Sequence, residues 1–332
     1  MSSEAPLRVL LAAAGIAGRA VMTRILSQRE SYDLVWVWTT EAEASLPDGV
    51  AVLAEAAGVP VFLGNPRESV SETAVKARGT GVLVAVNYPY LLPAVLFRAP
   101  TVTALNVHGS LLPAFRGRTP NTWAIIEGAL QAGVTCHVID EGVDTGPVVV
   151  QEPIAIAACD TGWSLAERMI ARMPDVVCEA LARVRAERPP VPQQGGGLTY
   201  GRRRPHDGGI DWSWSAARIY DWVRAQTAPY PGAFTFCHQQ RLLVWDVAVS
   251  RPAPGAGVAD AGTIIGRAWS PRAGGVWVAT GTEPVLITAA QFEDEPELCG
   301  HHLSDEYRLQ DGVRLGSREL SSPTAPDGAH RG

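Results

Sequence analysis

The chain has 332 residues, 46% apolar and 19% charged, with a net charge of −6. That length suggests about two domains, the composition supports packed cores over bulk disorder, and the charge argues against a nucleic-acid partner, which would need a basic face. The cysteines Cys136, Cys159, Cys178, Cys237 and Cys299 are odd in number and form no C-x-x-C pair, which argues against a disulfide framework and a zinc knuckle. The N-terminal Met-Ser-Ser-Glu-Ala-Pro lacks a cationic leader, and apolar runs are broken by Pro or polar residues, so the expectation is a cytoplasmic protein with no membrane partner.

In chain order, Arg8–Ala13 reads as a buried strand and Arg19–Gln28 as a helix. Strands follow at Leu34–Thr39, Val59–Leu63, Gly81–Val86, Val102–Asn106 and Val134–Ile139, with helices at Val50–Ala57, Leu91–Phe97 and Asn121–Glu127. This alternation predicts an α/β fold: a Rossmann-like, mainly parallel sheet with ligands at its strand ends. Ala13-x-Gly15-x-x-Gly18 approximates a dinucleotide-binding turn, with Glu41 near the end of the next strand, but the first glycine is missing. An NAD(P)-binding oxidoreductase therefore stands as an alternative to a plain strand-to-helix turn.

Leu165, Met169, Met173, Val177 and Leu181 space out one face of a helix over Thr161–Arg185, expected to be interrupted or restarted at Pro174. The Pro/Gly-rich run that follows cannot continue it and reads as a linker, residues 188–205, between a first domain 1–187 and a second 206–316. In the second domain a helix over Ala216–Ala225 precedes short strands at Arg241–Val249, Val276–Ala279 and Val285–Ile287, the pattern of a small, OB-like β-barrel. Trp212, Trp214 and Trp222 read as core or packing side chains more readily than as a base-stacking platform. The tail 317–332 is expected to be disordered.

The chemistry concentrates between Asn106 and Asp144. An amide, an imidazole and a carboxylate can together stabilise an oxyanion, handle a proton and set the charge of the proton carrier. Asn106 and His108 lie two apart on a strand, so their side chains share a face, and Asp144 could hold His108 as imidazolium or in one tautomer. No Ser or Cys occupies a nucleophile elbow, which disfavours a covalent acyl-enzyme. A metal site of His108, His137 and Asp144 would lack a usual ligand spacing, so no metal is expected. On generic grounds each residue could equally be a cap or turn.

The string Asn106-Val-His108-Gly-Ser110-Leu-Leu-Pro113-x-x-Arg116-Gly117, then Gly133-Val134-Thr135 and Asp144-Thr-Gly146, resembles the signature of formyltransferases that use 10-formyltetrahydrofolate. Gly81–Pro93, Ile210-Asp211-Trp212, Arg224-Ala225 and Pro229-x-Pro231-Gly232 extend the resemblance over about residues 8 to 316. It implies a catalytic trio of Asn106, His108 and Asp144, and 10-formyltetrahydrofolate as co-substrate. The pterin would lie against Asn87, Tyr88, Tyr90 and Leu91 on one loop and Ile139, Asp140 and Val143 on another. Ser110, Arg116 and Arg118 are then candidates for acceptor contacts.

The family acts on methionyl-tRNA, glycinamide ribonucleotide, sugar-nucleotide amines and secondary-metabolite amines, and it includes formate-releasing hydrolases. A second domain disfavours the purine enzyme. The tRNA enzymes carry a basic insertion after the second strand, whereas Glu30 to Pro66 contains no Lys or Arg and carries Glu41, Glu43, Asp48 and Glu55. The phrases Val223-Arg224-Ala225, Pro231-Gly232-Ala233-Phe234 and Leu309-Gln310-Asp311-Gly312-Val313-Arg314-Leu315 look most like the sugar-nucleotide enzymes. The expected acceptor is a small-molecule amine such as a nucleotide-linked amino sugar. Methionyl-tRNA is the alternative, supported by Arg202-Arg203-Arg204, and a non-catalytic folate or nucleotide-sugar module is a further one. A homodimer is compatible with the sequence.

Overall fold

The computed structural model describes residues 5–70, 73, 77, 79–249, 259–269 and 274–316; the tail 317–332, expected to be disordered, lies outside the described residues. The chain divides into two compact units, one of Met1–Ala124, Ala129–Ala158 and Ser164–Arg202, the other of Ile125–Gly128, Cys159–Trp163 and Arg203–Gly332.

The first unit is built on a seven-stranded sheet of β1 (Leu7–Ala13), β2 (Tyr32–Thr39), β3 (Val61–Leu63), β4 (Val82–Val86), β5 (Thr103–His108), β7 (Gln131–Val138) and β8 (Val148–Ala155), in the order β3-β2-β1-β4-β5-β7-β8; the short β6 (Arg116–Gly117) lies outside it. The first five strands in that order are parallel, and β7 and β8 join antiparallel. Central strands covered on both faces must be apolar throughout, and Val82–Val86 is buried along its whole length. The mainly parallel, Rossmann-like sheet matches the expectation. β8 is an addition that Gln151, Glu152 and Pro153 mask in the sequence; as the terminal strand it tolerates the proline.

Two local expectations change. The first helix runs Gly15–Leu26, because Gly15 adopts φ +67 and turns the chain directly out of β1. The helix Gly162–Arg185 is continuous, with Pro174 inside it. Proline removes one backbone donor, but the buried face of Leu165, Met169, Met173, Val177 and Leu181 holds the helix together across the gap.

The run expected as a linker is not a free connector. Val191 exchanges two 2.8 Å backbone hydrogen bonds with Val148, and β9 (Thr199–Tyr200) pairs in parallel with β6. Residues 191–200 thus lie as a strap along the first unit.

The second unit is an antiparallel sheet of β10 (Ala233–Cys237), β11 (Gln240–Ala248), β14 (Val285–Phe292), β13 (Gly275–Val278) and β12 (Ile264–Ala268), with β15 (Leu298–Cys299) on β14. The helix Ala216–Gln226 is capped by the Ser215 hydroxyl, which accepts from the Arg218 N–H, and buries Ile219, Trp222 and Val223 in the core of this unit. Trp212 donates to Thr235 Oγ1 at 3.0 Å and Trp222 to the Gly208 carbonyl at 3.1 Å. Both indoles are therefore core groups with satisfied donors, as expected of them.

Candidate functional site

The site begins with strand alternation. Asn106 and His108 project from one face of β5, and the antiparallel register sets Asn106 opposite His137 of β7. The chain then turns at 139–147, and Asp144, at φ +54, brings its carboxylate back to both. Asn106 Nδ2 lies 3.2 Å from Asp144 Oδ1 and 3.2 Å from His137 Nε2. Asp144 Oδ2 is 3.4 Å from His108 Nδ1 and accepts the Gly117 N–H at 2.9 Å, while Oδ1 is 3.5 Å from His137 Nε2. The carboxylate is the hub.

Carbonyl oxygens only accept, and this assigns the ring hydrogens. His108 Nε2 is 2.8 Å from the Phe115 carbonyl and carries a hydrogen, which leaves Nδ1 facing the carboxylate. His137 Nδ1 is 2.9 Å from its neighbour Val138's carbonyl, so its Nε2 is free to accept from Asn106. Burial lowers the His108 pKa below its usual 6.5, outweighing the opposite charge of Asp144 and the Phe115 carbonyl. For Asp144 burial acts upward, but His137, His108 and the Gly117 N–H outweigh it and bring the carboxyl down to about 2. The resting pair is a neutral imidazole beside a carboxylate.

Left-handed backbone gathers around this cluster: Asn87 (φ +49), Phe115 (+55), Gly117 (+93) and Thr119 (+50), besides Asp144. For non-glycine residues that conformation costs roughly 1 kcal/mol or more each, so surrounding contacts must hold it. Asn87 donates to the Ala14 carbonyl at 3.2 Å, and Asp144 is tied on both backbone and side chain.

The loop residues expected around a pterin divide into framework and wall. Tyr88 donates to the Gly64 carbonyl and meets Tyr90 edge-on at 5.4 Å; Ile139 and Tyr88 pack on the cluster of Trp38, Leu83 and Phe97. Asp140 Oδ1 accepts from the Gly142 N–H and the Thr145 hydroxyl. Leu91, 59% exposed, and Val143, 44% exposed, present apolar side chains. The Asn87 amide nitrogen and the Tyr88 hydroxyl are thus committed to the fold.

Of the expected acceptor contacts, Ser110 is displaced from that role. It is 1% exposed, and its hydroxyl donates to the Ala114 carbonyl at 2.6 Å, so it braces the loop from within. Arg116 is half-buried and donates to Gln193 Oε1 at 2.6 and 3.2 Å, whereas Arg118 is exposed and reaches the Pro89 carbonyl at 3.3 Å. Gln193 was not expected here. It sits in a Pro/Gly-rich run without periodicity, and no local signal marks it. His137 reaches its place beside Asn106 through strand register, which local sequence does not encode.

The dinucleotide-binding alternative meets a physical obstacle at the first turn. Gly15, at the start of the Gly15–Leu26 helix, gives its N–H to Glu43 Oε1 at 2.7 Å, and Glu43 Oε2 accepts from Val50 N at 2.8 Å. A buried carboxylate thus occupies the place of a dinucleotide pyrophosphate. Gly18 serves close packing, since a Cβ there would lie 2.9 Å from Ala13 Cβ. Among the described residues no group of three or more His, Cys, Asp or Glu could hold a metal ion, and no helix is long and apolar enough to cross a membrane.

Comparison with known proteins adds the following. Residues 20–181 match the formyl transferase model and residues 203–307 the model of the formyl transferase C-terminal domain. A methionyl-tRNA formyltransferase of Synechococcus sp. (strain JA-2-3B'a(2-13)) is 33% identical over 277 residues, covering 81% of this chain and 84% of that protein. WlaRD, a sugar 3N-formyl transferase solved in the presence of dTDP and 5-N-formyl-THF, superposes with a TM-score of 0.64 at 14% identity, covering 87% of this chain and 99% of WlaRD. A variant of HypX from Aquifex aeolicus gives a TM-score of 0.59 at 17% identity over 91% of this chain and 49% of its own, so the chain spans about half the length of HypX. Fold and sequence together define a group-transfer enzyme. The chain belongs to the formyl transferase family.

Proposed function

We propose that the chain moves a formyl group from 10-formyltetrahydrofolate to a primary amine of a small-molecule acceptor, with a nucleotide-linked amino sugar as the first candidate. The observation that carries the chemistry is the convergence of Asn106, His108 and Asp144 at the end of β5. The amine nitrogen bonds to the formyl carbon and gives up a proton; the bond from that carbon to the folate nitrogen breaks, and that nitrogen gains one.

Asn106 is half-buried, and its 3.2 Å hydrogen bonds are at the long end of the range, so they exchange readily for charge developing on the formyl oxygen. Neutral His108, with Nε2 on the Phe115 carbonyl, takes up the amine proton at Nδ1. Asp144, ionised at working pH, stabilises the imidazolium so formed. This departs from a resting imidazolium as oxyanion donor, because burial holds His108 neutral before the amine gives up its proton. The loops of Asn87–Leu91 and Ile139–Asp144 would hold the pterin.

The acceptor class rests on charge. Residues 30–66 carry no Lys or Arg, and Glu43 within them is turned inward as a cap. In the second unit, Arg203 stacks on the Trp222 ring at 4.6 Å and donates to Asp207 O and Gln226 Oε1, and Asp207 Oδ2 accepts the Arg204 N–H, so the arginine run is partly committed to structure. Methionyl-tRNA is the second reading, favoured by the 33% identical relative. The test is consumption of 10-formyltetrahydrofolate against amino-sugar nucleotides, hydroxyornithine-type amines, methionyl-tRNA and water. Turnover with an amino-sugar nucleotide is expected. Efficient formylation of methionyl-tRNA would replace the acceptor assignment, and formate release without an acceptor would make the chain a hydrolase.

A further inference from the structure

The strap Val-Pro-Gln-Gln-Gly-Gly-Gly-Leu-Thr-Tyr, residues 191–200, contains no helix or strand pattern, yet its backbone polar groups need partners. They find them at the start of β8 and on the loop that carries Arg116 and Gly117. Val191 is laddered to Val148, and Thr199–Tyr200 to Arg116–Gly117. Between these anchors, a Cβ on Gly197 would lie 1.8 Å from the Pro113 carbonyl oxygen, so only glycine passes there. Tyr200 closes the strap against Phe115 and Trp123, with ring centroids 5.5 and 4.9 Å away.

Gln193 sits inside this frame with its amide fully engaged. Nε2 donates to the carbonyls of Asp144 at 2.9 Å and Gly146 at 2.8 Å, and Oε1 accepts from Arg116 Nε and Nη2. The two carbonyls belong to the turn in which Asp144 holds its left-handed conformation. Gly117, which neighbours Arg116 and pairs with the strap, gives its N–H to the Asp144 carboxylate. One element therefore grips Asp144 twice, at its backbone through Gln193 and at its side chain through β6. Tethering alone would not need this side chain, since the backbone bonds at Val191 and Thr199–Tyr200 already fix the strap.

We infer that Gln193 is a positioning residue for the Asp144 carboxylate, so that the segment joining the two units is a working part of the site. The kinetic arm of its test rests on the formyl-transfer reading; the titration arm does not.

The test uses full-length Gln193→Met, which keeps the side-chain length without hydrogen bonds, and Gln193→Ala. Wild type and variants are assayed with 10-formyltetrahydrofolate and a dTDP-linked amino sugar, and the Asp144 carboxyl is titrated by 13C NMR in the ligand-free chain, where His108, His137 and Arg116 are the charged or titratable groups around it. Both variants should lose about tenfold or more in kcat, with KM for 10-formyltetrahydrofolate within about twofold of wild type. Asp144 should titrate above its wild-type value of about 2, toward 3.8. A merely structural role lowers the melting temperature and leaves that titration unchanged. Wild-type kcat in Gln193→Met, or reduced kcat with an unmoved Asp144 titration, overturns the inference. A wild-type chain that leaves the dTDP-linked amino sugar unformylated defeats that acceptor assignment, while the titration still decides the role of Gln193.

Discussion

Burial fixes the charge of His108, and this has a signed consequence. Its folded pKa lies below the ordinary 6.5, so as pH falls past that value the unfolded chain takes up the proton first and stability declines. Asp144 acts lower on the scale: held at about 2 against 3.8, it contributes about 2 kcal/mol that is present above pH 3.8 and lost as pH falls toward 2. Calorimetric unfolding between neutral and mildly acidic pH should show the His108 loss, and His108→Gln should flatten it. Turnover should fall at lower pH than the onset of that loss, at the depressed pKa of folded His108, because a protonated His108 cannot accept the amine proton. Asn106→Ala, His108→Ala and Asp144→Ala should each reduce turnover by ~100-fold or more without unfolding the chain, and near-wild-type turnover for His108→Ala would remove it from the mechanism. Asn106 and His108 were legible as a pair because strand alternation alone puts them on one face. His137 and Gln193 were not, since each reaches the cluster through a pairing distant in sequence, with β5 and with the Asp144 turn.

At the scale of elements, the loop before Pro120 depends on backbone conformations that few residues adopt. Gly117 has φ +93, and a Cβ there would lie 2.3 Å from the Tyr200 carbonyl oxygen. Gly117→Ala should therefore cost about 2 kcal/mol or more and detach the donor that holds the Asp144 carboxylate, read as a lower melting temperature together with lost turnover. The opposite sign is expected in the helix Gly162–Arg185, where Pro174→Ala restores a backbone donor and should stabilise by up to ~3 kcal/mol in thermal unfolding. Strand and helix identities in the first unit were readable from apolar periodicity. What escaped was β8, interrupted by polar residues, and the persistence of the helix through Pro174, which a buried stripe of Leu, Met and Val decides and propensity does not.

At the scale of the whole molecule, the charge of −6 and the uncharged or acidic stretch 30–66 bear on partners more than on fold. If the acceptor is small, kcat/KM should change by less than about tenfold between ~50 and ~200 mM salt, against the ~1,000-fold loss expected for a partner held by many phosphate contacts. A steep salt dependence would redirect attention to methionyl-tRNA. The strap adds a consequence in time. Because β9 follows every strand of the seven-stranded sheet in sequence yet pairs with β6, which lies between β5 and β7 in the chain, a nascent chain can complete that sheet and still lack Gln193 and β9 until residues 193 to 200 have been synthesised. If Gln193 positions Asp144, the order of translation delays competence until the joining segment, and not the sheet, is in place.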